Sequence, residues 1–207
     1  MKRVSVKICG IANESSLDAA LEAGVDLVGF VFATSPRQVT VAQAAALAAR
    51  LPAHVGAVAV FRQPTRADVS AVLEAFEPDY VQADDRDEAG LPPLGESLLV
   101  PVVRGAAIGA EALFARHGQL LIESENSGQG QPANWERAAQ LAQHGELWLA
   151  GGLNARNVAE AIERVRPRVV DVSSGVESAP GIKDPKLCGV FVRVVRAAVH
   201  RLKESAT

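Results

Sequence analysis

The 207-residue sequence has few aromatic side chains and no excess of positive charge. It contains two tryptophans, one tyrosine and six phenylalanines, and its formal net charge is −3. Proteins that bind nucleic acid usually carry a basic surface, and those that bind single strands add aromatic rings for base stacking. Neither feature is present, so we do not expect nucleic acid as a partner.

Long apolar runs and clusters of cysteine are also absent from the sequence. No apolar run approaches the roughly 20 residues of a membrane span, and residues 1–7 turn polar too early for a secretory signal. Cys9 and Cys188 are the only cysteines, and the four histidines lack the spacing of metal ligands. We therefore expect a cytoplasmic protein with no membrane partner, no disulfide framework and no metal.

The composition that remains is that of an ordinary soluble globular protein, with 48% hydrophobic and 22% charged residues. A chain of this length can bury roughly 70% of its unfolded surface as one unit. No linker, low-complexity tract or shift of composition divides it. We predict a single domain over residues 1–207.

Eight short apolar runs alternate with segments of helical periodicity. The runs cover residues 4–8, 27–32, 55–61, 80–82, 98–103, 120–122, 147–150 and 169–172. They begin about every 24 residues, which is the length of one βα unit with short loops. Runs that are apolar on both faces fit a parallel sheet covered by helices, and eight units close into a (β/α)8 TIM barrel, the predicted fold.

An open, doubly wound sheet is the alternative fold. It normally has fewer units, and a nucleotide-binding version would carry G-x-G-x-x-G after the first strand, which this sequence lacks. The fourth and fifth units of the predicted barrel are the weakest, because residues 83–96 and 105–117 have poor helical patterns.

The seventh and eighth runs each lead into a turn rich in small residues. The eighth is followed by Ser173, Ser174 and Gly175, and the seventh by a glycine pair that ends in Gly152 and then by Asn154. A short helix that starts at such a turn has unpaired amide donors and a positive dipole end, both of which attract anions. Two consecutive turns of this kind predict one shared phosphate site.

The first run ends in Cys9. A cysteine is more often a small buried hydrophobe than a catalyst. At the carboxyl end of a barrel strand, beside Lys7 and near a phosphate site, the Cys9 thiol could instead ionise and act as a base. Cys188 lies within the final amphipathic helix, where we expect it to contribute to packing.

Two charged residues at other strand ends have two interpretations each. Arg37 follows a Ser-Pro turn before a helix that we expect Thr40 to cap; it is either a solvated surface arginine or a planar fork that receives a carboxylate. Glu123 ends the sixth run; it is either a rim glutamate paired with a basic residue or a general acid. Gly128 and Gly130 indicate a loop that turns sharply or lets a ligand approach the backbone.

Taken together, these strand ends resemble phosphoribosylanthranilate isomerase, an enzyme of the tryptophan pathway. The matching segments are KICGI at 7–11, GFVF at 29–32 with SPR at 35–37, VAVF at 58–61, VQ at 81–82, SGQG at 127–130 with Trp135, LAGGLN at 149–154 with NV at 157–158, and DVSSGVE at 171–177 with PGIKD at 180–184. They occur in the family's order along the whole chain, so the set is far more specific than any single segment.

The resemblance implies a (β/α)8 barrel that catalyses an Amadori rearrangement without a cofactor. N-(5-phosphoribosyl)anthranilate would become 1-(2-carboxyphenylamino)-1-deoxyribulose 5-phosphate by general acid/base catalysis. In the family, an acid protonates the furanose ring oxygen, the ring opens to a Schiff base, and a base removes the C2′ proton to give an enolamine that tautomerises to the ketone. The ligand would be a small phosphorylated molecule, and the protein a monomer or a homodimer.

The resemblance also implies roles for individual residues. Cys9 matches the family's base, and Arg37 matches the arginine that meets the anthranilate carboxylate. The two phosphate turns of the family match Gly152 with Asn154 and Ser174 with Gly175.

Two strand ends depart from the family pattern. The family usually places an aspartate as general acid at the end of strand six, followed by a longer loop; here Glu123 stands there, and we expect it to be the acid. The family's Gln-Leu-His-Gly after strand four is replaced so that Asp84 occupies the position of the histidine. Asp84 is therefore the alternative acid.

Other functions remain open beside the isomerase. The chain could be an isomerase or epimerase acting on another phosphosugar, although Cys9 and Arg37 argue against those chemistries. It could instead be a barrel that binds a phosphate ligand and has lost catalysis, since two strand ends are altered. A purely structural or interaction module is the last alternative, which the polar, glycine-bearing strand ends argue against.

Overall fold

A closed barrel of eight parallel strands forms the centre of the computed structural model, which describes residues 3–94, 98–105, 109–124 and 133–204. The strands are β1 Ser5–Cys9, β2 Leu27–Val31, β3 Gly56–Val60, β4 Tyr80–Asp84, β5 Leu99–Arg104, β6 Gln119–Glu123, β7 Glu146–Leu149 and β8 Val169–Val172. Their order around the barrel is their order in the sequence, and β8 pairs with β1 to close the ring. This confirms the predicted (β/α)8 barrel and rules out the open sheet.

Seven α-helices surround the barrel in the described part of the chain. They are α1 Glu14–Ala23, α2 Val41–Ala48, α3 Arg66–Ala75, α4 Ala110–His117, α5 Trp135–Leu141, α6 Val158–Val165 and α7 Pro185–Glu204. The expected cap of α2 is confirmed, because the Thr40 side chain accepts a hydrogen bond of 3.2 Å from the Gln43 amide. No membrane-crossing helix is found among the described residues, since none is sufficiently long and apolar.

The fourth unit differs from the others. After β4 the chain forms a 3-10 helix, Asp85–Gly90, in place of an α-helix. Its sequence, DRDEAG, supplies no apolar face that could cover the barrel, which explains why the helical pattern of this unit is weak. The fifth unit, which also has a weak pattern, does form a helix, α4, which buries Ala110 and Phe114.

The last helix buries one face against the barrel. Cys188, Phe191 and Val195 on that face are all fully buried, so the expected packing role of Cys188 is confirmed. The same apolar spacing also predicts burial of Leu187, and this is wrong, since Leu187 is 39% exposed. Leu187 lies in the first turn of the helix, about 100° around its axis from Cys188 and at the edge of the buried stripe.

The inside of the barrel has an apolar lower part and a polar upper part. Trp148 is 1% exposed and meets the Tyr80 ring edge-on at 4.9 Å, within a cluster of inward side chains that includes Val100 and Val169. A short antiparallel pair, β9 Glu177–Ala179 and β10 Ile182–Lys183, follows β8. This pair places two further charged residues, Glu177 and Lys183, at the carboxyl ends of the barrel strands.

Candidate active site at the carboxyl ends of the strands

A cleft of about 490 Å³ opens at the carboxyl ends of the barrel strands. Five of the predicted site residues line it: Cys9, Arg37, Glu123, Gly152 and Ser174. A larger depression, of about 620 Å³, lies at the amino ends of β2 to β4 and contains none of them. The smaller cleft is the candidate site, because active sites of these barrels form where the strands end.

The two predicted phosphate turns pack directly against each other. Gly175 lies so close to the turn after β7 that a Cβ built on it would be 2.0 Å from the Leu153 carbonyl oxygen. Gly152 has a φ of 61°, a left-handed conformation that favours glycine. Glycine is therefore required at both positions, at Gly175 by the close approach of the neighbouring turn and at Gly152 by the left-handed backbone. The structure brings Ser174 and Gly152 to the same end of the cleft.

Asn154 is engaged in building its own turn. Its Nδ2 donates to the Gly152 carbonyl oxygen at 3.2 Å, and its Oδ1 accepts from the Arg156 amide at 2.9 Å. Its main-chain amide donates to Asn157 Oδ1 at 2.8 Å, while Asn157 Nδ2 donates to the Gly152 carbonyl at 2.9 Å. Asn154 and Asn157 therefore shape the turn that presents Gly152.

A buried ion pair lies beneath Cys9. The Lys7 ammonium is fully buried and donates to Asp171 Oδ2 at 2.7 Å and to Gln82 Oε1 at 2.9 Å. Burial is the largest single influence and would lower the pKa of Lys7, but the negative charge of Asp171, the neighbouring Cys9 and the hydrogen bonds with both together raise the pKa above its ordinary value. The raised pKa favours the ammonium form of Lys7 next to the thiol.

The environment of Cys9 favours the thiol over the thiolate. Burial raises the pKa of Cys9 above its ordinary value, and the nearby charge of Lys7 only partly opposes the shift. Gly29 on the neighbouring strand makes room for this arrangement, since a Cβ there would be 2.9 Å from Cys9 Sγ and 3.1 Å from Lys7 Nζ. The two side chains of β1 thus share one confined space above the apolar part of the barrel.

Arg37 is 14% exposed, which excludes the solvated surface arginine. Its Nε and Nη2 each donate a hydrogen bond of 2.7 Å to the two oxygens of Glu177. Gly10, which follows β1, makes room for the Arg37 side chain. Its φ is 82°, and a Cβ on it would lie only 2.4 Å from Arg37 Cδ. A ligand carboxylate can then meet only the remaining edge of the guanidinium, at Nη1 and Nη2.

Lys183 connects Glu177 to β1. Its buried ammonium lies 2.7 Å from Glu177 Oε1 and 3.2 Å from the Ser173 carbonyl oxygen. The Ser173 hydroxyl donates to the Cys9 carbonyl oxygen at 2.9 Å. Although burial would raise it, the pKa of Glu177 is lowered by its hydrogen bonds with Arg37 and Lys183, so Glu177 is a carboxylate. A continuous polar chain thus joins Arg37 to the strand that carries Cys9.

Glu123 and Asp84 both contact Arg104 across the cleft. Arg104 Nη2 donates to Glu123 Oε2 at 3.2 Å, and Arg104 Nη1 contacts Asp84. Glu123 therefore does have the basic partner of the rim interpretation, and it also lines the cleft as the acid interpretation requires. Gly128 and Gly130, with the SGQG segment of the resemblance, lie outside the described residues.

Several residues of this site were not singled out from the sequence. Arg104, Asp171, Glu177 and Lys183 all carry charge at the mouth of the barrel. The signal for Lys183 was available, because the Pro-Gly dipeptide at 180–181 indicates a turn that folds it back. In the described part of the chain, no group of three or more His, Cys, Asp or Glu side chains is arranged to hold a metal ion.

Comparison with known proteins gives one consistent family. The family model described as N-(5'phosphoribosyl)anthranilate (PRA) isomerase matches residues 6–194. The N-(5'-phosphoribosyl)anthranilate isomerase of Pseudomonas fluorescens is 39% identical over 205 residues, which cover 95% of this chain and 100% of the relative.

Crystal structures of the phosphoribosyl anthranilate isomerase from Thermotoga maritima have the same fold. One such structure superposes with a TM-score of 0.80 at 28% identity, covering 94% of this chain and 100% of the other. A structure of a phosphoribosyl anthranilate isomerase in complex with reduced 1-(o-carboxyphenylamino)-1-deoxyribulose 5-phosphate, at the same identity and coverage, has a TM-score of 0.76. A further structure is described as monomers generated from the dimeric Thermotoga maritima protein, with a TM-score of 0.75.

Proposed function

The chain belongs to the N-(5'-phosphoribosyl)anthranilate isomerase family, and we propose that it converts N-(5-phosphoribosyl)anthranilate to 1-(2-carboxyphenylamino)-1-deoxyribulose 5-phosphate in tryptophan biosynthesis. The observation that carries this proposal is the convergence of Cys9, Arg37 and two glycine-bearing turns on one cleft. A phosphate, a carboxylate and a reacting sugar carbon are the three parts of this substrate. The cleft offers a matching group for each of them.

The phosphate is held by the paired turns after β7 and β8. Main-chain amides around Gly152, Ser174 and Gly175 supply the donors, and Asn154 holds the first turn in shape. Arg37 receives the anthranilate carboxylate on the guanidinium edge that Glu177 leaves open. With both ends fixed, the sugar ring would lie between them in the cleft that Cys9 and Glu123 also line.

The chemistry then follows from the two central groups. Glu123 donates a proton to the ring oxygen, the anilinic nitrogen donates its electron pair to C1′, and the C1′–O bond breaks to give the Schiff base. Cys9 as thiolate takes the proton from C2′, and the electron pair of that C–H bond forms the enolamine. A proton then adds to C1′ while the C2′ hydroxyl loses its own, which gives the ketone without a cofactor.

A phosphate-ligand binder that has lost catalysis is the second candidate. It is favoured by the raised pKa of Cys9, which burial causes, and by the pairing of Glu123 with Arg104. A binder and an enzyme would share the turns and Arg37, and they would differ only in turnover. For either candidate we propose a cytoplasmic location and a monomer or a homodimer, of which the Thermotoga maritima relative forms the dimer.

Complementation separates the two candidates. Expression in a tryptophan auxotroph that lacks this isomerase should restore growth if the protein is an enzyme, and a binder would not restore it. Glu123→Gln should lower turnover at least about a hundredfold, which is the usual contribution of a positioned acid. The variant should still bind the reduced product. If the Glu123→Gln variant were fully active and the Asp84→Asn variant inactive, Asp84 would be the general acid instead of Glu123.

A further inference from the structure

Arg104, at the end of β5, lies between two carboxylates at the mouth of the barrel. Its Nη1 contacts Asp84 at the end of β4, and its Nη2 donates a hydrogen bond of 3.2 Å to Glu123 at the end of β6. The exposed fractions of the three side chains lie between 15% and 22%. Solvent therefore screens these charges less than it screens a surface ion pair.

The alternation of side chains along the strands places this cluster on the inner side of the barrel. Arg104 and Glu123 stand opposite each other in the β5–β6 ladder. Val102 and Leu121, two residues earlier on the same strands, belong to the apolar cluster inside the barrel, so their neighbours at this spacing face the same way. Both Arg104 and Glu123 line the cleft.

A glutamate at this place needs a support. Its carboxyl is separated from the backbone by three rotatable bonds, whereas a catalytic group must be held within about 0.5 Å of its working position. Arg104 gives this support through one nitrogen of its guanidinium, and the contact of the other nitrogen with Asp84 fixes the guanidinium itself.

Resting on the proposed isomerase function, we propose that Arg104 is a positioning residue that aims the Glu123 carboxyl at the substrate, with Asp84 as its counter-ion. The two terminal nitrogens of the planar guanidinium, Nη1 and Nη2, link the ends of strands β4 and β6, and we call this arrangement the clamp. The role is specific to arginine, since a lysine is a point charge and cannot contact both carboxylates through a rigid fork.

Arg104→Met removes the charge and keeps most of the side-chain length. We expect kcat to fall about ten- to a hundredfold, the scale of a misplacement by 1 Å. The Kd for reduced 1-(2-carboxyphenylamino)-1-deoxyribulose 5-phosphate should change by less than about threefold, because the clamp does not hold either end of the ligand. Arg104→Lys should retain more activity than Arg104→Met.

Double variants test whether Arg104 acts through Glu123. In a Glu123→Gln background, measured by single turnover, Arg104→Met and Asp84→Asn should cause no further loss of rate. Losses that multiply fully would overturn the proposal, and so would a kcat of Arg104→Met equal to that of the wild type. If Arg104→Met does not fold, Arg104→Lys and Asp84→Asn complete the same cycle.

Arg50→Met is the matched control. Arg50 also bridges two acids, Asp18 at 2.8 Å and Glu14 at 3.3 Å, but it lies just after α2 and both acids lie on α1, outside the barrel. Its loss should leave kcat unchanged. A folded wild-type protein that fails to convert the substrate would contradict the proposed function and this inference together, whereas an active wild type with multiplicative losses would contradict only the inference.

Discussion

Arg37 and Glu177 form a two-pronged ion pair in which both hydrogen bonds are 2.7 Å long. The pair joins residues 140 positions apart and is 14% exposed on the arginine side and 4% on the glutamate side. One edge of the guanidinium is thereby fixed, which leaves Nη1 and the second hydrogen of Nη2 available to a carboxylate in a fixed orientation. Binding of a carboxylate at this edge costs less side-chain entropy than binding to a free arginine.

Glu177→Gln should weaken this orientation while leaving the Lys183 contact possible through the amide oxygen. We expect the Kd of the reduced product to rise by about five- to thirtyfold, since a charge-assisted pair is replaced by a neutral contact worth less by roughly 1–2 kcal/mol. Isothermal titration calorimetry measures this Kd. Glu160→Gln, which loses only an exposed pair with Arg164, should bind normally. Unchanged affinity in Glu177→Gln would show that Glu177 does not organise Arg37.

Gly175→Ala should weaken phosphate binding by the paired turns after β7 and β8, which we call the phosphate anchor. The added Cβ would lie 2.0 Å from the Leu153 carbonyl, so one of the two turns must move. We expect the affinity for the reduced product to fall at least about tenfold, because the amide donors of two turns no longer converge. Gly189→Ala in α7 is the control, since its Cβ meets only the flexible end of Arg193. It should bind normally and gain up to about 1 kcal/mol of stability. Equal binding by both variants would contradict the shared anchor.

Lys7→Met should destabilise the protein strongly, because it leaves the Asp171 carboxylate buried without its cation. Removing one partner of a buried pair costs about 3–5 kcal/mol of unfolding free energy, whereas replacing both partners by apolar residues is often neutral. The double variant with Asp171→Leu should therefore recover most of the loss. Urea unfolding measures both. A single variant as stable as the wild type would indicate that the pair is not charged.

The raised pKa of Cys9 predicts a particular dependence on pH. A base acts as thiolate, so the rate governed by Cys9 increases as the pH rises toward the pKa of its thiol. Because burial raises that pKa, the increase should continue past pH 9.0, the ordinary value for this thiol, and level off only at higher pH. Alkylation of Cys9 by iodoacetamide, followed by mass spectrometry, should show the same dependence in the free protein. A plateau already reached at pH 7 would contradict the raised pKa.

The sequence predicted the barrel well because its strands are defined locally. Each of the eight apolar runs overlaps one observed strand, and no end differs by more than two residues. The glycine turns were equally predictable, since Gly152 and Gly175 are required by the backbone itself. Exposure of Leu187 was not predicted, because spacing alone does not give the width of a buried helix face.

The charged network of the site could not be predicted in the same way. Arg104 stands opposite Glu123 in one ladder and two residues beyond Val102, the partner of Asp84, in the other, so the three side chains meet only through the register of the barrel strands. Glu177 meets Arg37 only after the hairpin of β9 and β10 folds back over the mouth. Residue type identified candidates such as Cys9 and Arg37, but their partners, and hence their charge states, required the three-dimensional arrangement.

Turnover of N-(5-phosphoribosyl)anthranilate by the purified wild type and by Cys9→Ala tests the central claim most directly. We expect the wild type to form 1-(2-carboxyphenylamino)-1-deoxyribulose 5-phosphate, and Cys9→Ala to lose at least about a hundredfold in kcat, the usual contribution of a positioned base. Cys9→Ala should still bind the reduced product, because the phosphate turns and Arg37 are untouched. Near-normal turnover in Cys9→Ala would contradict the account by removing Cys9 from the mechanism.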